Sequence, residues 1–188
     1  MAWLVIILGY LIGALPTAYL AGRLLRDEDI RLLGDGNMGA GNTYHVLGPR
    51  VGIAVGVIDA GKGALAVYIA QASGMSLAVV LITGTATVVG HNWPVFLGFR
   101  GGRGEATTIG ILTFLIPWPM LIMAVPTVLV LLITKKVPVA STVLFVPLSL
   151  LSWWFDTPVP VILFSIGLPC LVGFTHLVKT RVKVFREA

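Results

Sequence analysis

The chain has 188 residues, of which 57% are hydrophobic and only 11% charged, against roughly a quarter charged in soluble domains. That balance excludes a soluble globular domain and marks an integral membrane protein, so the formal charge of +5 reads as a topogenic signal at span ends and not as a nucleic-acid footprint. The single cysteine, Cys170, sits in an apolar run, which excludes a disulfide framework and a cysteine-based metal site and predicts a small core residue.

Trp3 to Gly22 carries no charge over 20 residues, enough to cross a hydrocarbon core of roughly 30 Å at about 1.5 Å per residue. It lacks a basic leader and is followed by further spans, so it reads as a retained transmembrane helix. Arg23, Arg26 and Arg31 come next and place their loop in the cytoplasm, with the N-terminus outside. Val51 to Ser73 then runs outward, Gly74 turns the chain, and Met75 to about Gly90 returns. Ala106 to Thr134 holds 29 uncharged residues, which as one helix of about 43 Å would leave Lys135 and Lys136 outside, against the positive-inside bias. Pro117 and Pro119 predict instead a short arm of about 16 Å, a turn near Trp118 and a second helix back to the cytoplasmic side. Val137 to Phe155 goes out, Asp156-Thr157-Pro158 turns, and Val159 to about Val178 comes back.

The expected fold is therefore an all-α polytopic helix bundle, one multi-span domain over residues 1–188 with about seven transmembrane or partly spanning helices. Its C-terminus is cytoplasmic, and all thirteen Lys and Arg lie on or face that side. Six full spans is the alternative. Trp93, Trp118, Trp153 and Trp154 fall at span ends, as interface anchors do.

Two polar gaps carry the chemistry, and both land on the cytoplasmic face. Gly98-Phe99-Arg100-Gly101-Gly102-Arg103-Gly104 sets two guanidiniums among four glycines just ahead of a helix. Glycines let successive N–H groups turn toward one anion, arginine offers a fork that fits phosphate oxygens, and a helix N-terminus adds donors. Arg103, enclosed by Gly101, Gly102 and Gly104, is the expected ligand and Arg100 the topogenic charge; Thr107 and Thr108 would add hydroxyl donors. The upstream gap, Gly34-Asp35-Gly36-Asn37-Met38-Gly39-Ala40-Gly41-Asn42, reads either as a turn-rich connector or as a second loop in which Gly36 and Gly39 amides hold an anion while Asn37 and Asn42 fix a hydroxylated substrate. Two anion loops imply two phosphate groups.

Asp59 and Lys62 share a face inside an otherwise apolar span, as residues three apart do. They read either as a structural bridge or as part of the site, with Lys62 turned toward the loops. His91 leads into the glycine loop, and His45 and His176 lie near cytoplasmic ends of segments. Three histidines without a carboxylate at ligand spacing predict no bound metal. No P-loop, nucleophile elbow or H-E-x-x-H motif is present, so no cofactor or covalent nucleophile is expected.

Read in order, the 34–42 loop, Asp59 with Lys62-Gly63, Gly90-His91-Asn92-Trp93-Pro94-Val95-Phe96 and Gly101-Gly102-Arg103-Gly104 resemble the bacterial acyl-phosphate-dependent glycerol-3-phosphate acyltransferases, the PlsY family. The resemblance implies a multi-pass enzyme of the bacterial cytoplasmic membrane whose active site faces the cytoplasm. Its substrates would be acyl phosphate and glycerol 3-phosphate, its products lysophosphatidate and phosphate, and its surroundings membrane lipids, with no nucleic acid and no obligate protein partner. It also implies that the loop of Arg103 binds phosphate, that Asn37 and Asn42 shape the first loop, and that His91 supports the site. The chain departs from the family pattern at Asp35, where a serine is usual, at Gly41, at His45 in place of an arginine, at Arg103 in place of a lysine, and at Lys179 in place of an asparagine, while His176 is retained.

These residues suit direct acyl transfer without a covalent intermediate, because acyl phosphate is already activated and needs mainly positioning and charge neutralisation. Arg103 would stabilise the departing phosphate, and the phosphate itself, His91 or Asp35 would take the hydroxyl proton. Two other readings are a family relative with a different phosphorylated acceptor and a non-catalytic lipid-binding or transport protein.

Overall fold

The computed structural model describes the backbone of residues 1–187 and the side chains of residues 1–179. The described elements are helices: α1 (Ala2–Gly13), α2 (Thr17–Arg26), α3 (Ala40–Leu47), α4 (Pro49–Ala72), α5 (Leu77–Asn92), α6 (Glu105–Leu115), α7 (Pro117–Thr134), α8 (Val137–Phe145), α9 (Leu148–Trp154) and α10 (Val159–Glu187), with 3-10 turns at Ile30–Leu32 and Val95–Leu97. Among the described residues six segments are long and apolar enough to cross a membrane: α1 with α2, α4, α5 with its following turn, α7, α8 with α9, and α10. The seventh, α6, has 11 residues and at about 1.5 Å per residue is too short to cross alone. The seven-segment expectation holds, and its break falls where proline requires it. Ile116 leaves helical geometry and Pro117 opens α7 at the first position, where a missing N–H costs nothing.

The first span departs from the unbroken helix expected. α1 stops at Gly13 and α2 starts at Thr17, because Pro16 offers no N–H and its ring disfavours helical geometry at Leu15. A freed carbonyl inside an apolar bundle needs a donor. The Leu15 carbonyl accepts from the Thr17 N–H at 3.1 Å and from Lys62 Nζ at 3.0 Å.

α4 lies along α6 and α1 along α5. Gly63 rests on the Thr107 carbonyl and Gly110 on the Ala60 backbone, so closely that a Cβ at either would overlap its neighbour; in lipid, such backbone approach gains van der Waals contact that larger residues would forbid. Val67, Val88, Ile111 and Leu168 then join α4, α5, α6 and α10 in one buried cluster. Leu129, Leu132 and Ile133 of α7 are exposed, as lipid-facing side chains are. Cys170 is exposed too, correcting the core reading: it shares one face of α10 with the exposed Ile166 and Phe174, four residues to either side.

Trp118, Trp153 and Trp154 are exposed at span ends. Trp93 is turned inward, with its carbonyl accepting from Tyr10 Oη at 2.8 Å and its ring facing Lys179 Nζ at 5.8 Å. Both polar loops emerge on one edge of the bundle. Ser141, midway along α8, donates to Glu105 at the start of α6, which brings the Lys135-Lys136 end of α8 toward that same edge. Arg181, Lys183 and Arg186, part of the sidedness argument, lie outside the described side chains.

Candidate active site

Breaking the first span creates an inner polar cluster. Asp59 Oδ1 accepts from Thr17 Oγ1 at 2.7 Å and from Lys62 Nζ at 2.9 Å, and His91 Nδ1 stands 3.8 Å away. All but Thr17 are buried, with Asp59 at 1% exposure and Lys62 at 6%. A charge pair removed from solvent this far is tolerated only when its remaining hydrogen-bonding capacity is met. Here Thr17 and the Leu15 carbonyl each add one hydrogen bond to the pair, so the bridge that Asp59 and Lys62 form also staples α4 to the broken helix. The cluster is capped by a cavity of about 10 Å³ between Pro16, Met38, Lys62, His91, Pro94 and Gly102, roughly the room one water needs.

The first loop is organised by Asn42, which is 4% exposed. Its Oδ1 accepts from the Asp35 N–H at 3.0 Å, and its Nδ2 donates to the carbonyls of Leu33 and Asn37, each at 3.0 Å, and of Ile30 at 3.3 Å. Asn42 therefore shapes the loop, with both of its amide N–H donors committed inside it. Gly36 gives its N–H to the Leu33 carbonyl, and Gly39 caps α3. Asn37 is partly buried, with its Oδ1 enclosed and without a partner, so of the two asparagines it is the one with polar capacity to spare.

Asp29 and Arg31 fasten the first loop to the second. Arg31 donates to Asp29 Oδ1 from Nε at 2.9 Å and to Oδ2 from Nη2 at 2.6 Å, and its Nη1 reaches the Leu97 carbonyl at 3.4 Å. That bidentate fork holds the Asp29 carboxyl below the usual carboxylate range.

The second loop folds back over the end of α5. Gly101 and Gly102 give their N–H groups to the carbonyls of Asn92 and His91, at 3.2 and 3.0 Å. Gly102 presses on the His91 ring so closely that a Cβ would overlap Nε2. The expectation of glycines as anion donors is thus corrected at 101 and 102, where absence of a side chain serves close approach and the amides are taken. Gly104, at φ +82°, turns the chain into α6. Thr107 and Thr108 follow in the first turn, fully buried, with hydroxyls that have no hydrogen-bond partner.

Arg103 is the residue on which the two loops meet. Its Nη2 lies 3.3 Å from Asp35 Oδ2, with side-chain exposures of 25% and 45%, and its Nε is buried without a partner. His176 on α10 is near enough to feel both charges. Arg100 is exposed and separate. Of the residues singled out from sequence, Asp35, Arg103 and His176 come together at the edge, and Lys62 and His91 lie beneath them in the inner cluster. His45 is not brought in: it is exposed on α3 with its ring edge-on to Tyr44, 5.6 Å between centroids. Thr17 is missed by sequence reasoning, and Lys179 is noted there only as a departure from the family pattern, without its contacts to the glycine loop. Thr17 could have been found from Pro16, which breaks the helix just ahead of it. Among the described residues no group of three His, Cys, Asp or Glu is placed to hold a metal ion.

Residues 3–183 match the family model described as glycerol-3-phosphate acyltransferase. The chain is 51% identical over 181 residues, 96% of its length and 98% of the relative's, to glycerol-3-phosphate acyltransferase 4 of Dehalococcoides mccartyi. It is 36% identical to a glycerol-3-phosphate acyltransferase of Halalkalibacterium halodurans, covering 94% of this chain and 88% of that one. Among solved structures it superposes on PlsY (YgiH), an integral membrane glycerol 3-phosphate acyltransferase in its glycerol 3-phosphate form, with TM-score 0.86 and 30% identity, over 98% of this chain and 92% of the other. The lysophosphatidic acid form of that enzyme matches with TM-score 0.84 and 29% identity, at the same coverage.

Proposed function

The chain belongs to the glycerol-3-phosphate acyltransferase family, and on that premise we propose that it moves a fatty acyl group from acyl phosphate to glycerol 3-phosphate at the edge where its two polar loops meet. It is a multi-pass membrane acyltransferase of phospholipid synthesis, and its product is lysophosphatidate. The positive-inside bias of Arg23, Arg26 and Arg31 supports a cytoplasmic site. The observation that carries the reading is the ion pair between Arg103 and Asp35, which joins the two loops the sequence marks for two phosphates.

A carboxylate–guanidinium pair that is partly open to solvent is weakened by water, and a phosphate offers the same guanidinium more charge and more acceptor oxygens. Arg103 therefore exchanges Asp35 for the donor phosphate at little cost. The N-terminus of α6 follows Arg103 directly in the chain, and its positive end favours the charge that grows on the leaving group. Asn37, whose enclosed Oδ1 has no partner, and His176, close to both charges of the pair, are the groups assigned to glycerol 3-phosphate. Its hydroxyl oxygen bonds to the acyl carbon while the carbon–oxygen bond to phosphate breaks, and the proton passes to Asp35 or to the departing phosphate. His91 is enclosed between Asp59 and Gly102, and it supports the glycine loop from below.

The test is phosphate release from palmitoyl phosphate by the purified protein, with and without glycerol 3-phosphate. Release that requires glycerol 3-phosphate is the expected result. Release driven only by another phosphorylated alcohol would reassign the acceptor, and no release with any acceptor would leave a lipid-binding protein.

A further inference from the structure

Lys179 is the last residue of α10 whose side chain is described, and its Nζ donates to three main-chain carbonyls at the bundle edge: Asn92 at 2.9 Å, Gly101 at 2.8 Å and Gly102 at 2.5 Å. The face of Trp93 lies 5.8 Å away and gives the same cation a further favourable contact. An ammonium has three donors and no more. All three are committed here, so this lysine is not an anion ligand, although it stands beside a loop read as a phosphate cradle.

What it does follows from peptide geometry. In a trans peptide the C=O and the next N–H point in opposite directions. Drawing the Gly102 carbonyl toward α10 therefore turns the Arg103 N–H the other way, away from Lys179. The Gly101 carbonyl is turned inward by the same cation, while the Gly102 N–H is held on His91. Glycine could flip either peptide at little cost, and either flip would present a carbonyl oxygen, negative in partial charge, where a phosphate must bind. The ammonium removes that freedom, and it neutralises the carbonyl dipoles that would otherwise oppose an anion at Arg103.

We propose that Lys179 is a positioning residue: through the carbonyls of Asn92, Gly101 and Gly102 it sets the glycine loop in the one peptide orientation that accepts phosphate. The proposal rests on reading this loop as the phosphate site. It assigns a role to the C-terminal helix that local motifs do not show, since Lys179 lies 77 residues from Gly102.

Three variants test it: Lys179→Met, which keeps length and removes the charge; Lys179→Arg, which keeps charge and changes the donor geometry; and Lys179→Ala. Each is measured for KM toward palmitoyl phosphate and toward glycerol 3-phosphate, for kcat, for thermal midpoint in detergent, and for calorimetric binding of inorganic phosphate. Lys179→Met is expected to weaken inorganic phosphate binding and to raise KM for one substrate, palmitoyl phosphate, by about tenfold, with the KM for glycerol 3-phosphate within twofold and the thermal midpoint close to wild type. Lys179→Ala behaves the same way, and Lys179→Arg recovers part of the loss. A rise confined to glycerol 3-phosphate would keep the positioning role and move the phosphate in the loop from donor to acceptor. Unchanged phosphate binding and unchanged KM values in Lys179→Met would overturn the proposal, as would a loss of kcat that only follows loss of folded protein. The binding arm does not depend on turnover, so a wild-type protein that binds phosphate without transferring acyl groups would defeat the functional reading and still decide the role of Lys179.

Discussion

Two carboxylate–cation pairs in this protein use the same chemistry for opposite ends. Asp59 and Lys62 are closed off, 2.9 Å apart, and supported by one hydrogen bond each, to Thr17 and to the Leu15 carbonyl. Asp35 and Arg103 are 3.3 Å apart at an edge where both keep contact with solvent. A buried pair cannot release a partner without stranding a charge in low dielectric, whereas an exposed pair gains so little that a better anion can displace it. The inner pair therefore holds the broken first span in place, and the outer pair is the part free to exchange.

The sharpest way to break this contrast is at the inner pair. Asp59→Ala strands the Lys62 charge and should cost about 3–5 kcal/mol, read as lost monodisperse protein and a lower thermal midpoint. Asp59→Leu combined with Lys62→Met should lose less than either single change, since apolar replacement of both partners leaves no orphan charge. A double variant as damaged as Asp59→Ala would show that the cluster does more than staple. At the outer pair, Asp35→Asn should lower kcat/KM by about tenfold by loosening Arg103, with the thermal midpoint unmoved; a loss of about 10²–10⁴ confined to kcat would instead make Asp35 the general base. Thr17→Val removes one hydrogen bond to Asp59 and should cost about 1–3 kcal/mol, the range for a bond to a charged group.

The smallest effect concerns Asp29. Its folded-state pKa is depressed by Arg31, so the pair contributes stability above the unfolded carboxylate value, about 4, and loses it as pH falls through the lower folded value. The thermal midpoints of wild type and Asp29→Asn should therefore differ at pH 7 and converge below about pH 4. A gap that persists in acid would place the role of Asp29 elsewhere than in this pair.

Much of the architecture was legible because span length and proline act locally. The length of an uncharged run, the conflict between Lys135-Lys136 and the sidedness bias, and Pro117 together predicted the short α6 and its break. The same proline logic applied at Pro16, but there an uninterrupted uncharged run concealed the interruption. The partner that makes that break tolerable, Lys62, is 47 residues away. Composition also marked both loops and separated Arg103 from Arg100. It did not show that Asn42 is occupied by its own loop, that the amides of Gly101 and Gly102 close back onto α5, or that Lys179 reaches across to them, because each depends on contacts between segments distant in sequence. Cys170 was misplaced for a related reason: in a membrane protein an apolar run does not say which of its faces meets lipid.

The most direct measurement compares wild type and Arg103→Ala side by side in detergent: glycerol 3-phosphate-dependent phosphate release from palmitoyl phosphate, with thermal midpoints recorded on the same samples. Expected is a fall in kcat/KM of about 10²–10³, the scale of losing one preorganised donor to a developing anion, with the midpoint unchanged. Near-normal release from folded Arg103→Ala protein would contradict the assignment of the outer pair as the place where phosphate is held.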